Sequence, residues 1–474
     1  MKELYLIAVF AGIGLAVFLA GMYFTHELDS KQFVTEVTTR VEVPQTDIIQ
    51  LKKQFVTEVT TRVEVFQTNI TEPNKENPIK VGVLHSFSGT MAISEKPVAE
   101  ATLLAIEEIN KRGGVLGRQI QPIIVDGHSD WQIFASEAER LIVEEDVSAI
   151  FGGWTSASRK TMKPVFEKYD HLLFYPVQYE GLEQSPNIVY TGAAPNQQAI
   201  PAVDWAFENL GTRFFLVGSD YVFPRSVNEI MKERIKELGE EVVGEEYRIL
   251  GSKNFTEIVD KIIEIQPDVI LNTINGDSNL WFFKELRSRG ITPQEIPTIS
   301  FSIGENEIEQ LGAATMSGDY AAWNYFQSLD TQENQNFVNN FKAKYGSDRV
   351  TNDPMEAGYI SAYLFAKAAE LAGSDDPTLI RETVKGITIS APEGIVGVDP
   401  KTQHTLKVVR IGQILENGQF KIVASSEVPI MPQPYPDYKS KEQWDSFLNA
   451  MYVGWNNNWA NPNDEIIEAV EETD

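Results

Sequence analysis

The sequence predicts an α/β fold in which mostly parallel sheets are covered by helices on both faces. From residue 79, short apolar runs alternate with longer segments whose apolar residues recur at helical spacing. This alternation is typical of buried parallel strands joined by amphipathic helices. A second series of the same kind begins after residue 195 and shows no sequence similarity to the first. We therefore expect two α/β units of similar architecture.

The composition excludes several functional classes. The 474 residues include 40 basic and 68 acidic ones, giving a formal charge of −28. A nucleic-acid partner is not expected, because phosphate contacts need a basic surface. The chain has no cysteine, which rules out disulfides, cysteine nucleophiles, thiolate metal sites and a lipid-modified N-terminal cysteine.

An uncharged, apolar run at residues 4–24 precedes the α/β region. Its length matches the roughly 20 residues needed to cross a bilayer. We interpret it as a transmembrane anchor that places the acidic domain on the extracytoplasmic side, in the cell envelope. A cleaved signal peptide is the main alternative, although the run is long for that purpose.

Residues 25–78 are interpreted as a stalk and linker with an internal duplication. The segment at residues 31–43 returns at residues 53–65, an offset of 22 residues. Its valines fit a helical stripe, whereas its enrichment in Val and Thr favours strands. Both structures remain open for the stalk at this point. Residues 71–78, rich in Pro and Asn, read as a polar linker ending at a domain boundary.

The elements of the α/β region follow in order. In the first series the expected strands are residues 79–84, 120–125, 149–151 and 172–175, and the expected helices are residues 98–110, 134–144 and 160–169. In the second series the expected helices are residues 201–209, 227–238 and 255–265, and the expected strands are residues 213–218, 241–247 and 268–273. Helices at residues 334–345 and 355–372 and a hairpin around residues 416–418 follow. Residues 429–474, with an acidic tail, are expected to be disordered.

The turn at residues 152–160 (GGWTSASRK) is the strongest local candidate for a binding site. An apolar strand meets two glycines and then a cluster of hydroxyls at the start of a helix. Such a helix start directs the unpaired backbone N–H groups near Thr155 and Ser156 toward a carbonyl oxygen or an anion. Ordinary N-capping by either residue is the alternative.

Several passages together resemble a known family, the type I periplasmic solute-binding proteins, and within it the branch that binds urea and short-chain amides. The resemblance covers residues 79–434 and rests on residues 85–92, 152–160, 175–181, 190–198, 218–225, 275–279 and 320–326. It implies two α/β lobes, joined by three crossovers, that close over a ligand and deliver it to the permease and ATPase subunits of an ABC transporter. The implied bounds are residues 79–195 plus 321–388 for lobe 1, residues 196–320 plus 389–428 for lobe 2, and residues 429–474 for a C-terminal extension.

Urea is small, planar and neutral, so a site needs donors for its oxygen and acceptors for its nitrogens within walls that exclude water. Thr155 and Ser156 are the expected donors to the oxygen. Asp277 and Gln178 are the expected acceptors, although Asp277 also suits a turn. The remaining candidates supply walls, further polar groups and the rim of the site: Tyr175, Tyr179, Trp154, Asp220, Tyr221 and Ser88, with Asn275 and Trp323 as weaker ones. Arg159 and Lys160 are expected on a solvated helix face.

Enzymatic function is not expected. The five histidines are dispersed, and neither a Gly-x-Ser-x-Gly elbow nor a Walker phosphate loop occurs. No cofactor and no metal-ligand set is predicted. Two other functions use the same residues: a receptor for branched-chain amino acids, with a carboxylate at Thr155 and Ser156 and an ammonium group at Asp277, and an amide-sensing regulator.

Overall fold

A computed structural model describes residues 35–38, 60–63 and 74–462 of the chain. The expected membrane anchor, residues 4–24, lies outside the described residues. Within the described part, no helix combines the length and apolar character that a bilayer span requires. The chain divides into two units, Met1–Ile70 and Thr71–Asp474.

The described part of the first unit is a pair of antiparallel strands, β1 (Thr35–Thr38) and β2 (Thr60–Val63). One strand comes from each copy of the duplication. These residues therefore adopt the strand alternative and not the helical one, in agreement with their Val and Thr content.

The second unit alternates strands and helices along most of its length. Its described strands are β3 (Asn74–His85), β4 (Arg118–Asp126), β5 (Ile150–Gly152), β6 (Leu173–Tyr175), β7 (Ile188–Tyr190), β8 (Phe214–Ser219), β9 (Gly244–Arg248), β10 (Val269–Thr273), β11 (Thr298–Ser300), β12 (Tyr320–Trp323), β13 (Thr388–Ala391), β14 (Gly394–Gly397), β15 (Arg410–Ile414) and β16 (Phe420–Ser425). Its described α-helices are α1 (Ala92–Lys111), α2 (Trp131–Val143), α3 (Ser156–Lys168), α4 (Ala199–Asn209), α5 (Val222–Glu237), α6 (Thr256–Ile265), α7 (Ser278–Ser288), α8 (Glu305–Leu311), α9 (Ala313–Met316), α10 (Gln332–Tyr345), α11 (Asp353–Ala372), α12 (Pro377–Val384) and α13 (Lys441–Gly454).

Lobe 1 is built on a parallel five-stranded sheet with the order β4-β3-β5-β6-β7. The strands β5, β6 and β7 are wholly buried, as expected for a parallel sheet covered on both faces. Helices α1, α2 and α3 come from the first series, and α10, α11, α12 and the hairpin β13-β14 return to the same hydrophobic core.

Lobe 2 is built on a seven-stranded sheet with the order β16-β15-β12-β11-β10-β8-β9. The strands from β8 to β12 are parallel, and β15 and β16 form the expected antiparallel hairpin at one edge. Both lobes have the predicted α/β architecture. The carboxyl ends of parallel strands are where open α/β sheets bind ligands.

The crossovers between the lobes differ from two of the expected bounds. Lobe 1 was expected to resume at residue 321, but β12 pairs with β11 and β15 of lobe 2. Lobe 2 was expected to resume at residue 389, but Ala391 and Val396 of the β13-β14 hairpin belong to the core of lobe 1. Both assignments depend on strand pairing and core contacts between distant residues, which local patterns do not encode.

The expected disorder of the C-terminal extension is wrong for residues 429–462. Helix α13 is capped by Ser440, whose side chain accepts from the Gln443 N–H, with Gln443 completing a capping box. Trp444 and Leu448, one helical turn apart, are buried in the core of lobe 2. Trp444, Phe447, Leu448 and Met451 recur at helical spacing, so the sequence carried a helix signal that the Pro- and Asn-rich composition of the segment outweighed.

Candidate functional site

The turn between β5 and α3 has the geometry that its sequence predicts. A Cβ at Gly152 would lie 1.9 Å from the Leu84 carbonyl oxygen, so this close approach requires glycine. Gly153 follows with a φ of +78°. Thr155 caps α3, and its Oγ1 accepts from the Ser158 N–H at 3.0 Å.

The hydroxyls of Thr155 and Ser156 are engaged within the protein. The Thr155 hydroxyl contacts Ser158 at 3.1 Å, while the Ser156 hydroxyl donates to Glu180 and accepts from Arg159 Nη1 at 3.0 Å. Among the described residues, no group accepts from the backbone N–H groups of Thr155 and Ser156. The donors that this helix start offers a ligand are therefore backbone N–H groups.

Four charged residues form what we call the α3 charge cluster: Arg159, Lys160, Glu180 and Glu183. Arg159 Nε donates to Glu183 at 2.8 Å and Arg159 Nη2 to Glu180 at 3.1 Å. Lys160 Nζ lies 3.1 Å from Glu183 Oε2. The side chains are almost fully buried, with Arg159 and Glu180 at 0% exposure. The expectation of a solvated helix face for Arg159 and Lys160 is therefore wrong.

The α3 charge cluster is electrically balanced. Burial alone would raise the pKa of Glu183, but the charges of Arg159 and Lys160 overcome that effect and hold its pKa well below the usual range. Two cations thus face two carboxylates, and neither cation remains unpaired for a ligand. The Arg159 guanidinium also lies 4.7 Å from the ring centroid of Tyr175 and 4.4 Å from that of Tyr179.

Three buried polar residues of lobe 1 are called the cleft groups below: His85, Glu95 and Gln178. Neither ring nitrogen of His85 has a hydrogen-bond partner among the described residues, and the residue is 0% exposed. His85 Nδ1 lies 3.4 Å from Glu95 Oε2, which accepts from the Ser86 N–H at 2.8 Å. The side-chain oxygen of Gln178 is also buried without a partner. Unpaired buried polar atoms are costly, and such atoms in a cleft indicate a place for a ligand.

Sequence reasoning did not select His85 or Glu95. His85 is the last residue of β3, and Gln178 follows the end of β6, two strands away in the same sheet, by a few residues. The sequence signal for His85 is its position at the carboxyl end of a buried strand, where open α/β sheets bind ligands. Nothing local connects Glu95, on the first turn of α1, to that histidine.

Lobe 2 contributes Tyr221, which is 1% exposed. Its ring centroid lies 6.5 Å from that of Trp131, at the start of α2 in lobe 1. Burial raises the pKa of Tyr221, and the nearby charges of Glu180 and Glu95 add to the increase. Tyr221 therefore faces lobe 1 from the end of β8.

Hydrogen bonds between three residue pairs are among those that join the lobes around these groups. Trp154 Nε1 donates to Asn275 Oδ1 at 3.1 Å. Gln178 Nε2 donates to the Phe301 carbonyl at 2.8 Å. The Asp277 N–H donates to the Thr90 carbonyl at 3.2 Å, and the Thr90 hydroxyl donates to Asp277 Oδ1. The structure thus shows the lobes in contact, with Asp277 at the edge where they meet and with one carboxylate oxygen engaged.

The two lobe 1 tyrosines among the expected site residues are both buried. The Tyr175 hydroxyl donates to the Trp154 carbonyl, so Tyr175 lies behind the α3 turn. The Tyr179 hydroxyl contacts His404 Nε2 and lies 3.2 Å from the Glu183 carbonyl. Tyr179 therefore packs toward the crossover that leads to β15.

Asp220 and Ser88 are occupied by protein contacts. Asp220 Oδ1 accepts from Arg225 Nε at 2.7 Å, and Oδ2 accepts from Asn461 Nδ2 at 2.9 Å. Ser88 is exposed at the rim, and its hydroxyl donates to Asp126 Oδ2 at 2.8 Å. The structure thus places Trp154, Gln178 and Tyr221 in contact with the opposite lobe, and Asp277 where the lobes meet. Thr155 and Ser156 lie beside Trp154 at the start of α3. Within the described chain, no three His, Asp or Glu side chains are arranged to hold a metal ion.

Residues 79–441 match the family model described as periplasmic binding protein domain. A protein named Leu/Ile/Val-binding protein homolog 6, from Brucella melitensis biotype 1, is 23% identical over 349 residues, covering 71% of this chain and 87% of that protein. A further match, to limonene hydroxylase of Geobacillus stearothermophilus, is 36% identical over 124 residues, covering 26% of this chain and only 23% of that protein.

Solved structures share the fold. The solute-binding protein of an ABC transporter from R. palustris, in complex with 4-hydroxybenzoate, aligns with a TM-score of 0.68 and 22% identity over 75% of this chain and 98% of that one. The branched-chain amino acid transporter substrate-binding protein from Streptococcus pneumoniae, in complex with isoleucine, aligns with a TM-score of 0.66 and 21% identity over 75% of this chain and 100% of that one.

Proposed function

This chain belongs to the periplasmic binding protein domain family, and we propose that it captures urea or a short-chain amide between its lobes. The captured ligand is delivered to the permease and ATPase subunits of an ABC transporter. In this proposal the binding domain lies outside the cytoplasm and residues 4–24 tether it to the membrane.

The observation that carries the ligand proposal is the set of unpaired atoms in the cleft. The N–H groups of Thr155 and Ser156 supply donors for a carbonyl oxygen. The Gln178 oxygen and the His85–Glu95 pair supply acceptors for N–H groups. A small molecule with one carbonyl and several N–H groups complements both sets at once.

Charge balance favours a neutral guest over a carboxylic acid. The nearby cations Arg159 and Lys160 are already paired with Glu180 and Glu183. A ligand carboxylate would therefore depend on the N–H groups of the α3 start alone and would lie in the same cleft as Glu95. The relatives named for leucine, isoleucine and valine make a branched-chain amino acid the main competing ligand.

Calorimetric titration of the purified full-length chain with urea, acetamide, formamide, leucine and 4-hydroxybenzoate tests the proposal. We expect heat of binding with urea or an amide and none with leucine or 4-hydroxybenzoate. Tight leucine binding without a response to urea would overturn the choice of ligand.

A matched pair of variants locates the site. Gln178→Leu removes a buried acceptor and should weaken urea binding at least tenfold, which corresponds to about 1.4 kcal/mol. Gln184→Leu removes the amide of an exposed glutamine whose Nε2 donates to the Lys401 carbonyl at 2.7 Å, and its urea affinity should equal that of the wild type. Equal affinities for both variants would remove Gln178 from the site.

The proposed transport role has a separate test. Purification from native membranes should recover permease and ATPase subunits with the full-length chain. Recovery of the chain alone from the cytoplasmic fraction would favour the amide-sensing regulator instead.

A further inference from the structure

The last described residues, 455–462, follow α13 and return to the cleft. We call them the C-terminal clasp. The match to the family domain ends at residue 441, so α13 and the clasp lie almost entirely beyond it. The contacts of the clasp show a role that the family domain does not account for.

The clasp runs beside the loop that carries Tyr221. The Trp459 carbonyl accepts from the Val222 N–H at 2.9 Å. Tyr221 forms an antiparallel bridge with Ala460. The backbone on either side of the cleft tyrosine is therefore held by residues more than 200 positions later in the chain.

Asn461 completes this attachment. Its N–H donates to the Asp220 carbonyl at 3.2 Å, and its Nδ2 donates to Asp220 Oδ2 at 2.9 Å. Arg225 Nε holds the other oxygen of Asp220 at 2.7 Å. Both carboxylate oxygens of Asp220 are thus used to fix the loop rather than to face the cleft.

The same segment also reaches lobe 1. Lys160 Nζ lies 5.1 Å from the Trp459 ring centroid, within the range of a cation–π contact. Lys160 belongs to α3, and it is held by Glu183 at 3.1 Å. Trp459 therefore has its backbone attached to lobe 2 and its ring against lobe 1.

The chain that precedes α13 also contacts lobe 1. The Pro434 carbonyl accepts from the Leu182 N–H of lobe 1 at 2.7 Å. At Gly181, where φ is +68°, a Cβ would lie 2.1 Å from that same carbonyl. The C-terminal chain thus contacts lobe 1, packs α13 on lobe 2, and contacts lobe 1 again through Trp459.

We propose that the C-terminal clasp holds the lobes closed and positions Tyr221 for the ligand. Separation of the lobes breaks the Trp459–Lys160 contact, because the Trp459 backbone stays bonded to lobe 2. The clasp therefore favours the closed state before and after ligand binding. The effect on lobe closure is independent of the ligand, whereas the effect on affinity rests on the proposed function.

The absence of cysteine makes the proposal directly measurable. Lys96→Cys on α1 of lobe 1 and Lys253→Cys in lobe 2 introduce two exposed labelling sites. Spin labels at these positions report the distance between the lobes in the full-length chain without ligand. Trp459→Leu should shift the distance distribution toward longer separations, with about a tenfold larger open-to-closed ratio.

Two further variants separate the lobe 1 contact from general packing. Trp455→Leu removes an indole of the same segment that packs on the core of lobe 2, and it should leave the distances unchanged. Trp459→Phe keeps an aromatic face for Lys160 and should restore the wild-type distribution. Identical distributions for Trp459→Leu and the wild type, or equal shifts in Trp455→Leu and Trp459→Leu, would overturn the proposal.

Urea titration of the same variants connects the clasp to the site. Trp459→Leu should weaken urea binding about tenfold, mainly through faster dissociation. If the wild type binds no urea but the distances shift as expected, the choice of ligand is wrong and the clasp remains. If urea binds equally well to Trp459→Leu and to the wild type, the clasp does not position Tyr221.

Discussion

The α3 charge cluster and the cleft groups are both buried, but they differ in how their polar atoms are satisfied. Each charge of the cluster has an opposite charge within 3.1 Å. In contrast, both nitrogens of His85 and the oxygen of Gln178 have no hydrogen-bond partner among the described residues, although Glu95 Oε2 lies 3.4 Å from His85 Nδ1. Both groups are thus buried, but only the α3 charge cluster has all its charges paired.

This difference indicates that the α3 charge cluster stabilises the fold, whereas the cleft groups are available to bind a ligand. A fully paired ion cluster fixes the loop after β6 against α3, and it gives a ligand no charge to bind. Unpaired atoms carry a desolvation cost that a ligand can recover through its own hydrogen bonds. We therefore expect changes in the cluster to alter stability first, and changes in the cleft groups to alter binding first.

The largest expected effect is that of Arg159→Leu. Loss of the guanidinium leaves Glu180 and Glu183 buried with Lys160 as their remaining cation, so the free energy of unfolding should fall by about 3–5 kcal/mol. Guanidinium chloride denaturation followed by circular dichroism measures this, since urea is the proposed ligand and an unsuitable denaturant.

Lys163→Ala is the matched control on the same helix. Lys163 forms a partly exposed ion pair with Glu167 at 2.7 Å, and its loss should change stability by less than about 0.5 kcal/mol. Equal effects of the two substitutions would contradict the supporting role of the α3 charge cluster.

Glu305→Gln should have the next largest effect, and it depends on pH. Burial raises the pKa of Glu305 to about 8, with further increases from Glu307 and Asp353. Its Oε2 has no partner among the described residues. The folded state retains this proton while the unfolded state releases it near pH 4.5, so stability falls as pH rises from about 4.5 to 8.

Glu305→Gln removes this ionisable group, so the stability of the variant should depend less on pH than that of the wild type. Relative to the wild type, Glu305→Gln should gain on the order of 2 kcal/mol between pH 5 and pH 8.5. Thermal unfolding at a series of pH values measures it. If the unfolding midpoints of the wild type and of Glu305→Gln change with pH to the same extent, Glu305 ionises normally and the prediction is wrong.

His85→Phe tests the cleft groups themselves. Because both ring nitrogens are unpaired, an apolar ring of similar shape should leave stability unchanged or raise it by about 1 kcal/mol. Urea affinity should nevertheless fall at least tenfold. Calorimetry and denaturation of the same preparation give both numbers, and His128→Phe at the exposed rim serves as the control. A large loss of stability with unchanged urea affinity would place His85 with the supporting groups.

The smallest expected effect is that of Thr155→Ala. It removes the Oγ1 that caps α3 through the Ser158 N–H, and the free energy of unfolding should fall by about 1 kcal/mol. Urea affinity should change little, because the Thr155 hydroxyl is engaged within the protein and the proposed contacts are backbone N–H groups. A tenfold loss of affinity at unchanged stability would instead assign the hydroxyl to the ligand.

The sequence by itself determined the local features. Apolar periodicity identifies helices α1 to α6, α10 and α11 and the strands β3 to β6 and β8 to β10, whereas short elements such as β7, β11 and β12 were not predicted. The two glycines and the hydroxyl cluster at residues 152–160 predict the turn and the capped start of α3. These features depend on near neighbours, which the sequence displays directly.

Only the tertiary structure decided which distant residues meet. Arg159 is buried because Glu180 and Glu183 neutralise its charge. Strand β12 belongs to lobe 2 because β11 and β15 pair with it. The clasp forms because Asp220 and Val222 form hydrogen bonds with Asn461 and Trp459. The His85–Glu95 pair likewise forms between a strand end and a helix start. Such contacts follow from packing and charge compensation across the folded chain, for which a local sequence pattern carries no signal.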